Sequence, residues 1–180
     1  ITYYGPQDLT PFSANIKKQH LLPKEFTPAA PAKVYSYTMQ DANKVYFANY
    51  DMVQSEIRWL RNTGLYNKTD GANIEVFNNY FGGGMGSIVF QTIRESKALA
   101  YSTFAQYVKP DRADKQYSMI AYVGSQADKM TDAVNGMNEL LNVLPQSDKS
   151  FDGAKNNVLS YLESNRVTKD GVFTYYFARS

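Results

Sequence analysis

The chain has 180 residues, of which 43% are hydrophobic and 20% are charged, and its net charge is +2. This composition is that of an ordinary globular domain with a core of its own. The absence of cysteine excludes disulfides and thiol catalysis. No apolar run is long enough to predict a membrane-spanning helix. The basic residues are scattered and do not form the clustered face that is typical of nucleic-acid binding.

The N-terminal part predicts a short strand, a helix and a proline-rich connection. Residues 1–6 resemble a strand that ends at a turn, and residues 8–22 repeat apolar residues at helical spacing. Residues 23–33 contain three prolines and no periodicity, which predicts an extended internal connection.

Alternating patterns then predict strands over 33–39, 45–52 and 53–61. A loop is predicted from residue 62 to residue 71. Alternation of apolar and polar residues is typical of an antiparallel sheet with one solvated face. We therefore expect these three segments to pair.

The C-terminal part predicts four helices and one hairpin. Helices are predicted over 73–81, 85–96, 125–145 and 150–165, and paired strands over 98–108 and 116–125. In the 125–145 helix, Ser125 and Asp128 predict a capping box. Its predicted buried stripe is formed by Met130, Val134, Met137, Leu141 and Leu144.

Strands and helices occur in blocks, which predicts an α+β fold: a two-layer domain with a largely antiparallel sheet and helices on one face. We expect residues 1–180 to form one domain. The chain starts with Ile1 and ends on TYYFARS, so we interpret it as a fragment of a longer protein.

The residue types exclude several kinds of site. Zinc sites draw on several His and Cys residues, and this chain has one histidine, His20, and no cysteine. We therefore expect it to bind no metal. The run FGGGMGS lacks the Gly-Lys-Ser/Thr ending of a phosphate loop, and a helix rather than a strand precedes it, unlike a dinucleotide fingerprint.

Arg94 and Tyr101 are the candidate polar site residues. We expect Arg94 in the last turn of a helix and Tyr101 at the start of a strand. Both can donate hydrogen bonds to a carbonyl oxygen that gains negative charge. Their positions also allow a structural interpretation, because Arg favours a helix C terminus and Tyr favours strands. Spacing alone leaves both interpretations open.

The run NNYFGGGMGSIVFQTIRESKALAYS resembles the signature of the M16 family of zinc metallopeptidases, which includes insulin-degrading enzymes, pitrilysin and mitochondrial processing peptidases. The match covers Tyr80 and Phe81, Met85 and Ser87, Val89 and Phe90, Arg94 and Glu95, Leu99 to Ser102, and the glycines Gly82, Gly83, Gly84 and Gly86. Gly86 stands where the family more often has Ser. The order of elements agrees over most of the chain.

The resemblance implies a function within a larger assembly. M16 proteins consist of repeated α+β domains in two halves around a chamber, and one half carries a His-x-x-Glu-His zinc motif. That motif is missing here, so the chain resembles the C-terminal domain of the non-zinc half. Zinc is then expected in the parent enzyme or in a partner half.

In this family an Arg and a Tyr of the opposite half reach the substrate, and Arg94 and Tyr101 match that pair. The glycines Gly82, Gly83, Gly84 and Gly86 are expected to let the backbone approach closely and turn sharply.

The resemblance implies a peptide substrate and, as partners, other M16 domains of the same chain or of another subunit. By itself the fragment is expected not to cleave peptides. A non-catalytic structural subunit or a peptide-binding module is the alternative. From the cysteine-free composition, rich in Tyr and Asn, we expect a bacterial periplasmic or extracytoplasmic setting.

Overall fold

The structure is a computed structural model that describes residues 3–21, 23–31, 33, 35, 37–169 and 171–177. Its backbone contacts group into two compact units. One unit comprises the described residues within 1–34 and 165–180, and the other those within 35–164. The second unit contains the glycine-rich run, Arg94 and Tyr101, and it is the unit that positions the candidate site.

A three-stranded antiparallel sheet is the centre of the second unit in the described part of the chain. Strand β1 spans Gln54–Leu65, β2 spans Ser102–Val108 and β3 spans Gln116–Gln126. Strand β3 lies in the middle, so β1 and β2 are the edge strands.

The middle of the sheet is filled by small side chains on its inner face. Ala121 of β3 lies opposite Trp59 of β1 and Ala105 of β2, and both alanines are buried. Their size leaves space for the helices to approach the strands closely.

Helices cover this inner face. Helix α2 spans Gly71–Phe81, α3 spans Met130–Asn142 and α4 spans Asp148–Ser164. Helices α2 and α3 pack against the sheet, and α4 packs against α2. Their buried side chains form one core that includes Phe81, Val89, Ile93, Met137 and Ala154. The predicted α+β class is therefore confirmed.

Polar contacts also fix helices to the rest of this unit. The Trp59 indole donates a hydrogen bond to Asn138 Oδ1 at 2.9 Å, which joins β1 to α3. The Tyr80 hydroxyl donates to the Pro145 carbonyl at 2.5 Å and accepts from the Ser147 amide at 3.1 Å. The end of α2 is thereby fixed to the connection between α3 and α4.

The predicted strands before β1 are wrong for the described residues. Residues 3–6, the described part of 33–39, and residues 45–52 contain no strand, while residues 1, 2, 34 and 36 lie outside the described residues. Val45, Tyr46 and Phe47 are all more than 80% exposed. Strand propensity needs a hydrogen-bonded neighbour to form a strand, and none of the described segments pairs with residues 45–52. Within residues 23–33, the described residues contain neither helix nor strand.

Strand β1 is longer than predicted and continues to Leu65, with an irregularity in its pairing between Asn62 and Leu65. The Asn62 side chain accounts for part of this extension. It donates to the Thr38 carbonyl and accepts from Ser118 Oγ, both at 2.9 Å. The buried side-chain amide of Asn62 therefore makes hydrogen bonds both to strand β3 and to the segment that precedes β1.

The predicted start of the 125–145 helix and its capping box of Ser125 and Asp128 are wrong, and the predicted stripe is confirmed only at Met137 and Leu141. Strand β3 continues to Gln126, a 3-10 turn spans Ala127–Lys129, and only then does α3 begin. Its buried residues are Ala133, Gly136, Met137 and Leu140. Glycine and alanine carry little hydrophobic signal, so the prediction missed Ala133 and Gly136 and wrongly included the exposed Met130 and Leu144.

The first unit contains helices α1, Leu9–Gln19, and α5, Val172–Phe177. In it the rings of Tyr3 and Phe12 stack at 4.2 Å. No helix among the described residues has the length and apolarity needed to cross a membrane.

Candidate functional site

The glycine-rich run begins where α2 meets the edge of strand β2. Gly82 is buried, and the Ala105 amide donates a hydrogen bond to its carbonyl at 3.4 Å. A Cβ atom at Gly82 would collide with the Ala105 backbone and lie 2.7 Å from its Cα. Only glycine fits this close approach.

The other glycines differ from one another. A Cβ atom at Gly83 would lie 2.7 Å from the Asn78 carbonyl oxygen, whereas Gly84 and Gly86 have open space around them. None of the described glycines has a positive φ; that conformation occurs instead at Ala98, with φ of 47°. Close approach is therefore the observed reason for glycine at Gly82 and Gly83.

Ser87 begins the helix that follows. Its hydroxyl donates to the Gly84 carbonyl at 2.6 Å and accepts from the Phe90 amide at 3.4 Å. This is the bonding expected of an N-cap serine. The predicted helix over 85–96 therefore starts later than expected, with Ile88 as its first helical residue.

This helix becomes a π-helix over Phe90–Ser96. The Lys97 amide donates to the Thr92 carbonyl at 3.0 Å, and the Leu99 amide to the Ile93 carbonyl at 2.9 Å. π-Helices are rare and occur frequently at functional sites. The wider turn rotates the side chains near the end of this helix. The direction of the Arg94 side chain therefore differs from that expected for an α-helix.

Arg94 lies in the last turn of the π-helix, as expected. Its side chain is 47% exposed, and its Nε lies 3.7 Å from Glu95 Oε1. Its guanidinium carbon lies 5.0 Å from the centre of the Phe90 ring. A guanidinium over an aromatic ring is attracted to it, and about half of the Arg94 side chain remains exposed.

The connection between Arg94 and Tyr101 is held against the end of β3. Lys129 Nζ donates to the Ala98 carbonyl at 3.1 Å. Ser125 Oγ donates to the Leu99 carbonyl at 2.6 Å. The Tyr101 amide donates to the Gly124 carbonyl at 2.9 Å. These bonds stabilise the left-handed conformation at Ala98, which costs free energy for a non-glycine residue.

Tyr101 directly precedes β2, which is also the expected placement. It is 54% exposed, and its phenol oxygen accepts a hydrogen bond from Gln126 Nε2 at 2.7 Å. Arg94 and Tyr101 are thus exposed donors on either side of one tightly held connection.

Asn78 occupies the outer edge of β2. Its Nδ2 donates to the Tyr107 carbonyl at 3.0 Å, and its Oδ1 accepts from the Tyr107 amide at 2.7 Å. One side-chain amide therefore takes the place of a neighbouring strand at this edge. The sequence pattern does not predict this contact, because an Asn near the end of a helix is usually interpreted as a C-terminal residue of that helix.

The sheet face opposite the helices carries a row of stacked side chains. The Arg58 guanidinium lies 5.6 Å from the centre of the Tyr122 ring, and the Tyr122 and Phe104 rings stack at 5.4 Å. Residues two apart on a strand share a face, so Tyr122 and Gln126 are on the same side of β3. Gln126, whose amide bonds the Tyr101 phenol, therefore lies on the same face as this row.

The described residues do not fit a zinc ion. No group of three or more His, Asp or Glu side chains among them is arranged to bind a metal. The His20 ring Nδ1 lies 3.1 Å from the Ile16 carbonyl oxygen, a contact within its own helical segment. A cavity of about 380 Å³ in the first unit, lined by Tyr3, Tyr4, Gly5, Gln7, Leu9 and Phe12, contains none of the signature residues.

Comparison with known proteins identifies the family. The model of the family described as "Peptidase M16 inactive domain" matches residues 9–158. A solved structure of a peptidase M16 inactive domain from Pseudomonas fluorescens is similar, with a TM-score of 0.52 and 16% sequence identity. That similarity covers 64% of this chain and 28% of the Pseudomonas chain, and it shows the fold. A search of curated proteins finds no match.

Proposed function

The chain belongs to the family of peptidase M16 inactive domains, and we propose that it is the substrate-binding, catalysis-supporting domain of an M16 zinc metallopeptidase. In this proposal Arg94 and Tyr101 donate hydrogen bonds to the peptide backbone of the substrate. The described residues offer no set of zinc ligands. We therefore assign the zinc site to another domain, either of the same chain or of a partner subunit.

The observation that carries the proposal is the placement of the two donors. Arg94 and Tyr101 are each about half exposed, yet each is held by defined contacts, to Phe90 and to Gln126 respectively. Most exposed long side chains are free to rotate and lose entropy on binding. Donors already held in place need less reorganisation when charge develops on a carbonyl oxygen.

Each residue has a chemical role that follows from its donors. The guanidinium of Arg94 has several N–H groups in a fixed plane, which suits the oxygen atoms of a peptide backbone. The phenol of Tyr101 supplies a single O–H donor to the carbonyl under attack. Both interactions strengthen as the carbonyl oxygen becomes an oxyanion, so they lower the barrier rather than only tightening binding.

The sheet face next to Tyr101 supports a peptide as the substrate. The Phe104 and Tyr122 rings are stacked on this face, and Phe104 is 42% exposed. Exposed aromatic rings bind apolar side chains of an extended peptide with little loss of their own freedom. The remaining wall of the site would be formed by other M16 domains.

Photo-crosslinking in the complete protein tests whether this face meets the substrate. A photoreactive phenylalanine analogue placed at position 101 is expected to capture a bound peptide. The matched control places the same analogue at Tyr161 of α4, which is similarly exposed at 60% but lies on a helix.

Capture at position 101 with little capture at position 161 supports the proposal. Equal capture at both positions, or none at position 101 while the protein still cleaves the peptide, contradicts it. The second result favours the alternative of a structural subunit that does not contact substrate, in keeping with the description of this family as inactive.

A further inference from the structure

We propose that Gln126 is a positioning residue for Tyr101: its amide fixes the phenol oxygen as an acceptor, so that the hydroxyl hydrogen points to the bound carbonyl. This inference rests on the proposed function and names the residue that directs its tyrosine donor.

The main chain around Tyr101 is already held in place by hydrogen bonds. The main chain is held by Ser125 at Leu99 and by the Gly124 carbonyl at the Tyr101 amide. With the backbone in place, only the side-chain torsions of Tyr101 and the rotation of its hydroxyl hydrogen remain. The 2.7 Å bond from Gln126 Nε2 acts on both.

The chemistry of the two groups sets the direction of the bond. An amide NH₂ can only donate, while a phenol can donate one hydrogen and accept through its oxygen. Tyr101 therefore accepts from Gln126, and its hydrogen must turn toward another acceptor. A hydrogen bond accepted by a hydroxyl also polarises it and strengthens it as a donor.

Among the described residues, the Gln126 side chain makes no other hydrogen bond. It is the last residue of β3, it is exposed, and it lies outside the buried core. Its position opposite Gln54 of β1 supplies a matched control, because Gln54 is an exposed glutamine at the same end of the sheet.

The decisive variant is Gln126→Glu in the complete protein. The carboxylate has the same length but accepts instead of donating, so it draws the Tyr101 hydrogen away from the substrate. We expect kcat to fall about ten-fold or more, as for Tyr101→Phe, with a smaller change in KM. Gln126→Met removes the bond without adding an acceptor, and a fall of roughly two- to five-fold is expected. The control Gln54→Glu adds the same charge and should retain the wild-type kcat.

Two further measurements separate positioning from general structure. In the Tyr101→Phe background, Gln126→Glu should have no further effect beyond about two-fold, because it acts through the missing hydroxyl. The ¹³Cζ resonance of Tyr101, recorded without substrate, should shift in Gln126→Glu but not in Gln54→Glu, because the phenol changes from acceptor to donor.

The outcomes distinguish this inference from the function on which it rests. Wild-type kcat in Gln126→Glu alongside an impaired Tyr101→Phe overturns the role of Gln126 and leaves the proposed function standing. Wild-type kcat in Tyr101→Phe overturns the proposed role of Tyr101, and in both Tyr101→Phe and Arg94→Ala it overturns the proposed function; the NMR shift then still decides whether Gln126 orients the hydroxyl. An unchanged ¹³Cζ resonance in Gln126→Glu overturns that orientation.

Discussion

The carbonyl oxygen of Gly82 accepts a hydrogen bond from the Ala105 amide at 3.4 Å, and the two backbones approach so closely that no side chain fits between them. This contact fixes the end of α2 against strand β2, just before the segment that carries Arg94. We expect it to be important for stability.

Gly82→Ala should lower the free energy of unfolding by about 1–3 kcal/mol, because the added methyl group meets backbone that cannot rotate away. At this chain length each kcal/mol corresponds to roughly 2–4 °C in Tm. The control is Gly84→Ala, where a Cβ atom meets open space; its Tm should be unchanged or slightly raised. Equal Tm values for both variants would contradict the close approach.

The Asn78 side chain takes the place of a strand beside Tyr107. Asn78→Ala leaves the amide and carbonyl of Tyr107 without these partners and should cost about 1–3 kcal/mol. Hydrogen exchange at the Tyr107 amide should become faster. The control is Asn79→Ala, because the Asn79 side chain bonds within its own helix, to the Glu75 carbonyl. Unchanged exchange at Tyr107 in Asn78→Ala would argue against this edge contact.

Ala98 has a positive φ of 47°, which costs an alanine of order 1 kcal/mol relative to glycine. Ala98→Gly should therefore raise the free energy of unfolding by a few tenths to about 1 kcal/mol, a gain limited by the greater freedom of glycine in the unfolded chain. Urea denaturation measures this change in the free energy of unfolding. Ala100→Gly, two residues later and without a positive φ, should instead destabilise the protein. A loss of stability in Ala98→Gly would mean that Ala98 does not adopt this conformation.

The β2–β3 hairpin and the central helices could be predicted from the sequence because their signals are local. Strand β3 is rich in apolar and aromatic residues, and Pro145 separates α3 from α4. The positions of Arg94 at a helix end and of Tyr101 before a strand followed from the same pattern.

Other features depend on contacts between distant residues and could not be predicted. The positive φ at Ala98 is stabilised by bonds from Ser125 and Lys129 to the Leu99 and Ala98 carbonyls, 26 and 31 residues apart in the sequence. The hydrogen bonds between Gln126 and Tyr101 and between Asn78 and Tyr107 produce no periodic pattern in the sequence. The strands predicted over 33–39 and 45–52 had the right residue types, but strand propensity does not supply a hydrogen-bonded neighbour.

One exposed ion pair lies in the β2–β3 connection. The hydrogen bond from Arg112 to Asp114, at 2.9 Å, is the largest cause that holds the pKa of Asp114 below its usual value. Both side chains are largely exposed, so the pair contributes little to stability. Arg112 therefore provides a control position for arginine substitutions elsewhere.

The most direct test of the proposed function is the kcat for peptide cleavage by the complete protein carrying Arg94→Ala or Tyr101→Phe. Both side chains are exposed, so folding should be little changed. Each variant should lower kcat about ten-fold or more, because each removes a donor to the developing oxyanion. The controls Arg112→Ala and Tyr161→Phe should cleave at the wild-type rate. Wild-type kcat in both Arg94→Ala and Tyr101→Phe would contradict the claim that this domain supports catalysis.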